Sequence, residues 1–269
     1  IGAFLCYKGV GTFTTYNHSI AEFLFSADWA PSDSAEGGGS VGAAIFIFGS
    51  VITCALALAI ATPFSLATAI FMTEISPELG KRFVQPAVEI FVGIPSVVYG
   101  WIGLTILVPL IKNIFNLRFG FSVLAAGIVL AVMIFPTITS LAADALRSIP
   151  KSYRAASYGL GATRWQTIAK VVVPAAITGL MTAVILGLAR AFGEALAVAM
   201  VIGKMRAFPT SLLSPTNNLT AAIAADMGGA MEGSEYNIAL WTMALMLFII
   251  SLACIFAIHF LTAKGGKQA

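Results

Sequence analysis

Charge is what this sequence lacks most. Of its 269 residues only 10% are charged, against about 25% in ordinary water-soluble domains. That scarcity excludes a soluble globular chain, a disordered one and a nucleic-acid binder resting on a basic face. Histidine occurs twice, at His18 and His259, and cysteine three times, at Cys6, Cys54 and Cys254. Neither set has the spacing of zinc ligands, and the scattered cysteines read as buried thiols rather than a disulfide framework. A resident metal is therefore not expected. No Ser-His-acid set can be drawn from residues that share one side of a membrane. Lys81, Lys204 and Lys267 each follow a glycine, but Arg82, Met205 and Gln268 come next instead of Ser or Thr. The phosphate-binding loop of ATP hydrolases is thus missing, and energy for uphill movement would have to come from another protein or an ion gradient.

What is present is apolar. Hydrophobic residues make up 59% of the chain, and the mean hydropathy is +0.94. Residues 37–73, 119–143 and 236–263 carry no formal charge, 83–111 carry only Glu89, and 171–203 carry only Arg190 and Glu194. Each run exceeds the ~20 residues that span a bilayer as a helix. The opening stretch, 1–8, reads as the outer end of a further span whose start is missing. The expectation is an all-α membrane protein with six transmembrane helices, the first truncated. An extracytoplasmic loop would cover 9–40, a core transmembrane domain 41–263, and a tail 264–269. Within the core, 144–170 would be a cytoplasmic loop and 204–237 a second outer loop.

Orientation follows from the basic residues. Lys81, Arg82, Arg147, Lys151, Arg154, Arg164, Lys170, Lys264 and Lys267 fall on one side. The other side holds Lys8, Lys112, Arg118, Lys204 and Arg206, together with most of the outer-loop acids. The richer side, with the C-terminus, is assigned to the cytoplasm. In the second outer loop, 219–225 is Ala-rich and reads either as a short helix at the membrane surface or as plain connecting chain.

The inner loop has a local grammar. Pro150 suits the first turn of a helix and Gly159 or Gly161 its end. Thr163 with Gln166 three residues later forms a capping box for the next helix. The pattern predicts a short helix, a tight glycine turn and a second helix feeding the fifth span. Ala155, Ala156 and Gly159 are small enough for a partner's backbone to come close.

Here the sequence resembles a known family. Gly161, nine residues, then Val171-Val172-Val173-Pro174 is similar to the EAA loop of ABC-importer permeases, except that Ala155 stands where that pattern has glutamate. Glu89–Gly100 and Leu188–Gly203, followed by Ser211–Leu219, resemble signatures of phosphate-importer permeases of the PstC type. The resemblance implies a type I ABC-importer permease fold and a non-catalytic subunit in a bacterial plasma membrane that conducts inorganic phosphate. Its implied partners are a PstA-like permease, two ATPase subunits carrying ATP and Mg, and an extracytoplasmic phosphate-binding protein, with lipid around the spans. It also implies that Lys151, Arg154, Ala155, Ala156, Gly161 and Pro174 serve the ATPase contact.

The membrane residues suggest where an anion would pass. Arg190 should lie near mid-depth in a long fifth helix, where a charge is expensive and is normally paired or turned to water. Glu194, four residues on, would share its face and could pair with it. Gly179, Ala183, Gly187, Ala191, Ala195, Ala199 and Gly203 form a stripe for close helix approach. Arg190 and Glu194 are accordingly either an anion path or a structural ion pair. Pro95 should kink or break the third span, leaving Ser96 and Tyr99 as hydroxyl donors near a half-helix N-terminus. Pro136 should kink the fourth span, Glu89 reads as structural and His259 as interfacial. Permeation of another oxyanion (molybdate, sulfate or phosphonate) and an ion-driven secondary transporter are the alternative readings.

Overall fold

The computed structural model describes residues 1–265, with side chains described through Phe260. The expected tail 264–269 falls at this edge, and its residues 266–269 lie outside the described residues. The chain begins with short helices α1 (Gly2–Gly9), α2 (Gly11–Thr14) and α3 (Ile20–Phe25). Strands β1 (Trp29–Ala30) and β2 (Ser40–Val41) pair antiparallel, Trp29 opposite Val41. Next come α4 (Ala44–Ile70), which runs into a π-helical turn at Phe71–Ile75, then α5 (Pro77–Leu79) and α6 (Gln85–Gly93). Helices α7 (Ser96–Ile102), α8 (Val108–Ile114) and α9 (Val123–Arg147) follow. The inner loop forms α10 (Lys151–Gly159) and α11 (Arg164–Thr167), and α12 (Val173–Ala175) leads into α13 (Ile177–Gly193). The chain closes with α14 (Leu196–Val201), α15 (Leu219–Asp226) and α16 (Glu235–Gly265).

Among the described residues, four helical stretches are long and apolar enough to cross a membrane: Ala44–Ile75, Ser96–Ile114, Val123–Arg147 and Glu235–Phe260. A bent pair, Arg164–Ala175 with Ile177–Gly193, makes a fifth if counted as one span. These five fall on the five apolar runs of the sequence. Helix α1, with eight residues, is shorter than the ~20 needed for a crossing.

The run 171–203 departs from the single long helix that its hydropathy predicts. It bends by 68° at Ala176 and breaks again at Glu194–Ala195. The run 83–111 breaks at Ile94–Pro95, which is the outcome Pro95 predicts. Proline cannot donate an amide and disfavours helix at the residue before it.

Two compact units emerge from the packing. The first comprises 1–57, 95–130 and 191–252, and the second 58–94, 131–190 and the residues from 253 on. The first unit has a core of Phe23, Trp29, Val41, Phe46, Leu219 and Leu240 with their neighbours. Helix α15 belongs to it: Leu219, Ala221 and Ala222 are fully buried, and the Asn218 carboxamide caps the helix by accepting from the Ala221 amide at 2.8 Å. The Ala-rich stretch is therefore a helix, but one inside the packing.

In the second unit α13 lies against α9. A Cβ on Gly179 would sit 2.6 Å from Ala145 Cβ, and one on Gly187 2.5 Å from Ile138 Cγ1. Only glycine allows that approach, as the small-residue stripe requires. Pro136 lies inside the unbroken α9, and next to it the Phe135 carbonyl accepts from the Ser65 hydroxyl at 3.1 Å and the Thr139 hydroxyl at 2.7 Å.

The outer loop of the first unit is held by one buried acid. The Glu235 carboxylate accepts from the amides of Ser32 (2.7 Å), Gly38 (3.2 Å) and Gly39 (2.9 Å). His18 Nε2 lies 2.7 Å from it, and His18 Nδ1 lies 3.1 Å from Glu22. Gly37 and Gly38 have φ of +75° and +100°, a backbone that L side chains rarely adopt. The three-glycine run thus lets the loop wrap a carboxylate. Burial lowers the His18 pKa, but its hydrogen bonds to Glu235 and Glu22 outweigh this and raise it above 6.5. The Tyr16 hydroxyl, whose pKa burial and the Glu235 charge both push up, completes the charged neighbourhood.

A folded pKa above the unfolded one stabilises fully below the unfolded value and loses that contribution as pH rises through the folded value. The unfolding temperature of the purified protein should therefore fall by about 2–4 °C as pH rises from 6.5 through the raised His18 pKa. His18→Gln should abolish that step, and an equal step in the variant would refute the assignment.

Candidate functional site

Arg190 lies one turn before the end of α13. Its Nη1 donates to the hydroxyl of Thr137 on α9, one residue past Pro136. Among the described residues Thr137 is its one partner, and a guanidinium has five N–H donors. The group is half-buried, so the hydroxyl orients it while most of its donors stay available.

The helical i,i+4 pairing of Arg190 with Glu194 requires a continuous helix, and α13 stops at Gly193. Glu194 has its own work in the first unit. Its carboxylate accepts from the Ala197 amide at 3.1 Å at the start of α14, and its carbonyl accepts from the Thr220 hydroxyl of α15 at 2.8 Å. Two of the backbone groups opened by the break are thus supplied by side chains. Thr220 lies 26 residues away, so no local pattern announces it.

Helix α14 also meets α7. A Cβ on Gly100 would lie 2.8 Å from Ala197 Cα and 2.7 Å from Met200 Sδ. This close approach buries Tyr99, while Ser96, the first residue of α7, is half-buried. Ser96 and Tyr99 on α7, and Glu194 just before α14, therefore belong to the first unit, whereas Arg190 and Thr137 sit in the second.

The inner loop forms the hairpin its grammar predicts. Pro150 precedes α10, Gly161 turns at φ +80°, and Thr163 with Gln166 makes the capping box of α11. Inside the hairpin the Ser157 and Thr167 hydroxyls bond at 2.9 Å, both buried. Outside it, Leu160 is 91% exposed, Trp165 66% and Tyr153 50%. Beside them Ser152, Tyr153, Ala156, Leu160 and Val171 line an apolar hollow of about 540 Å³. Apolar area of this kind at the surface marks an interaction site. Lys151, Ala155, Ala156 and Gly161 are exposed on the hairpin and Pro174 beyond it. Arg154 departs from the expected partner contact: its guanidinium turns inward and bonds Glu74 and the carbonyls of Leu146 and Ile149.

The chain matches the family model for the binding-protein-dependent transport system inner membrane component over residues 61–264. It belongs to that family. The matched range takes in the hairpin, Ser96, Tyr99, Arg190 and Glu194. The probable ABC transporter permease protein YqgH of Bacillus subtilis is 52% identical over 264 residues, 98% of this chain and 84% of that protein. The phosphate transport system permease protein PstC of Haemophilus influenzae is 36% identical over 270 aligned positions, 93% of this chain and 84% of that one. A probable PstC of Methanocaldococcus jannaschii is 33% identical over 78% of this chain and 72% of that one. A chain of the inward-facing MetNI methionine ABC transporter superposes with a TM-score of 0.61 at 21% identity, over 81% of this chain and 96% of that one. That likeness shows the shared type I permease fold.

In this inner membrane component the hairpin turn rests on Gly161, whose φ of +80° strains any side chain although the space around it is open. Gly161→Val should cost about 1–3 kcal/mol locally. Hydrogen exchange at 150–167 should accelerate about 5- to 150-fold while the spans keep their protection. Gly159→Ala, at helical backbone with nothing within 4 Å of the added carbon, should leave exchange unchanged or slower. Equal exchange in the Val variant would show that the turn does not set the hairpin.

Proposed function

We propose that this chain is the PstC-type permease subunit of an ATP-driven importer of inorganic phosphate in a bacterial plasma membrane. The observation that carries the substrate is Arg190: a half-buried guanidinium in an otherwise apolar helix, oriented by Thr137, with most donors unspent among the described residues. Charged groups within apolar spans mark transport paths, and the planar fork of arginine matches two oxygens of a tetrahedral anion. Relatives named as phosphate permeases, up to 38% identical, support the choice of anion.

In this reading the anion comes from an extracytoplasmic phosphate-binding protein and crosses between this subunit and a PstA-like partner. Ser96 and Tyr99 offer hydroxyl donors along the path. Glu194 holds the break after α13 open by satisfying its backbone. The exposed hairpin, with Tyr153, Leu160 and Trp165, docks on one of two ATPase subunits, where ATP and Mg reside. Closing and reopening of that ATPase pair then moves the hairpin and alternates the access of the path.

Labelled phosphate uptake by the assembled complex tests the role of Arg190. Arg190→Lys should lose uptake nearly as completely as Arg190→Ala, by about 10- to 100-fold, because a point charge cannot replace a bidentate charge-assisted contact. Arg190→Gln combined with Glu194→Gln leaves no lone charge in the membrane, so it should assemble normally and still fail to transport. Near-normal uptake by the lysine or the double variant would refute the assignment. Excess unlabelled phosphate should suppress wild-type uptake, and sulfate or molybdate at the same concentration should not.

A further inference from the structure

Glu74 carries no role in any reading of the sequence, yet two arginines of the inner hairpin converge on it. It sits in the π-helical turn Phe71–Ile75 that ends the span begun by α4, and its side chain is 9% exposed. Arg154 of α10 grips both carboxylate oxygens, Nε at 3.0 Å from Oε2 and Nη2 on Oε1. The same guanidinium donates to the carbonyls of Leu146 at 3.0 Å, in the last turn of α9, and Ile149 at 2.8 Å, just beyond it. Arg164, at the start of α11, donates to the backbone carbonyl of Glu74 at 3.1 Å and to that of Ile75 at 2.6 Å. These are terminal carbonyls of the span, and basic side chains commonly satisfy such groups.

Both arms of the hairpin are therefore fastened to one dipeptide, Glu74-Ile75. A cavity of about 470 Å³ opens here, lined by Thr73, Glu74, Lys151, Arg154, Ala155 and Tyr158. Atoms on opposite walls of such a gap lose their dispersion contacts, so the ionic and hydrogen-bonded bridges carry the mechanical link. An exposed single ion pair would contribute little. This one is bidentate, largely shielded and continued by two carbonyl contacts.

We propose that Glu74 is a positioning residue for energy coupling: it passes displacement of the 150–167 hairpin to the inner part of the α4 span. The proposal rests on the reading that the hairpin docks on a partner ATPase. It predicts which quantity changes when the link is cut. The hairpin can still bind the ATPase and ATP can still turn over, but hydrolysis no longer drives the span.

The test compares phosphate moved per ATP hydrolysed by the whole complex in vesicles supplied with the binding protein. Glu74→Gln should retain the ATPase at the wild-type ratio and still hydrolyse ATP, while phosphate moved per ATP falls about tenfold. Glu74→Asp, which keeps the carboxylate, should recover part of the coupling. If the lone buried arginine prevents Glu74→Gln from assembling, Glu74→Gln with Arg154→Gln removes both charges and should assemble, still uncoupled. A wild-type ratio in an assembled Gln or double variant would overturn the proposal. So would a parallel loss of uptake and hydrolysis, which is what a merely structural role gives. A wild-type complex that contains no ATPase would sink the docking reading and this proposal together. Normal wild-type coupling with unaffected variants would sink this proposal alone.

Discussion

A backbone amide or carbonyl inside a bilayer must find a partner within the protein, and the interruptions of this fold are placed where side chains can provide one. The break after α13 shows the rule at work. Helix α13 ends at Gly193, the Glu194 carbonyl is taken by Thr220, and the Ala197 amide is taken by the Glu194 carboxylate. Where the α4 span ends, Arg164 takes the carbonyls of Glu74 and Ile75. Polar side chains also gather within the continuous α9: the Phe135 carbonyl collects two hydroxyls, and Thr137, next to Pro136, holds Arg190.

The same economy governs charge. In a chain with 10% charged residues, two well-shielded carboxylates are each engaged by several groups. Glu235 holds three amides and His18 in the first unit, and Glu74 holds two arginines in the second. Breaking either arrangement leaves an uncompensated charge, which costs more than the pair itself contributes. The Glu235 latch fixes a loop to the start of α16. The Glu74 latch fixes a hairpin whose exposed face is apolar. The first is a stable edge, and the second is a handle.

Much of this was readable from sequence because it was local. Apolar runs located the spans, Pro95 the third-span break, and Pro150, Gly161, Thr163 and Gln166 the hairpin. The stripe containing Gly179 and Gly187 is the surface that α9 approaches. What sequence reasoning missed depends on partners far along the chain. The Arg190–Glu194 spacing suggested one continuous helix, but Thr220 stabilises the broken form. Arg154 was expected to face a partner, but Glu74, 80 positions earlier, draws it inward. The run Gly37-Gly38-Gly39 carries no local motif, and its meaning appears only when Glu235, about 200 residues later, fills the cradle it forms. Hydropathy reports the solvent of a segment, and local motifs report its turns. Neither reports which distant polar group will meet an exposed backbone atom.

The central claim is that this subunit conducts phosphate because a partner ATPase moves its inner hairpin, with no ion gradient as the driving force. Phosphate accumulation should be measured in sealed vesicles holding the native complex, with the binding protein added outside and ATP supplied or withheld inside. The account predicts concentrative uptake that requires ATP and the binding protein and persists when proton and sodium gradients are collapsed. Accumulation without ATP that disappears when those gradients are collapsed would contradict it.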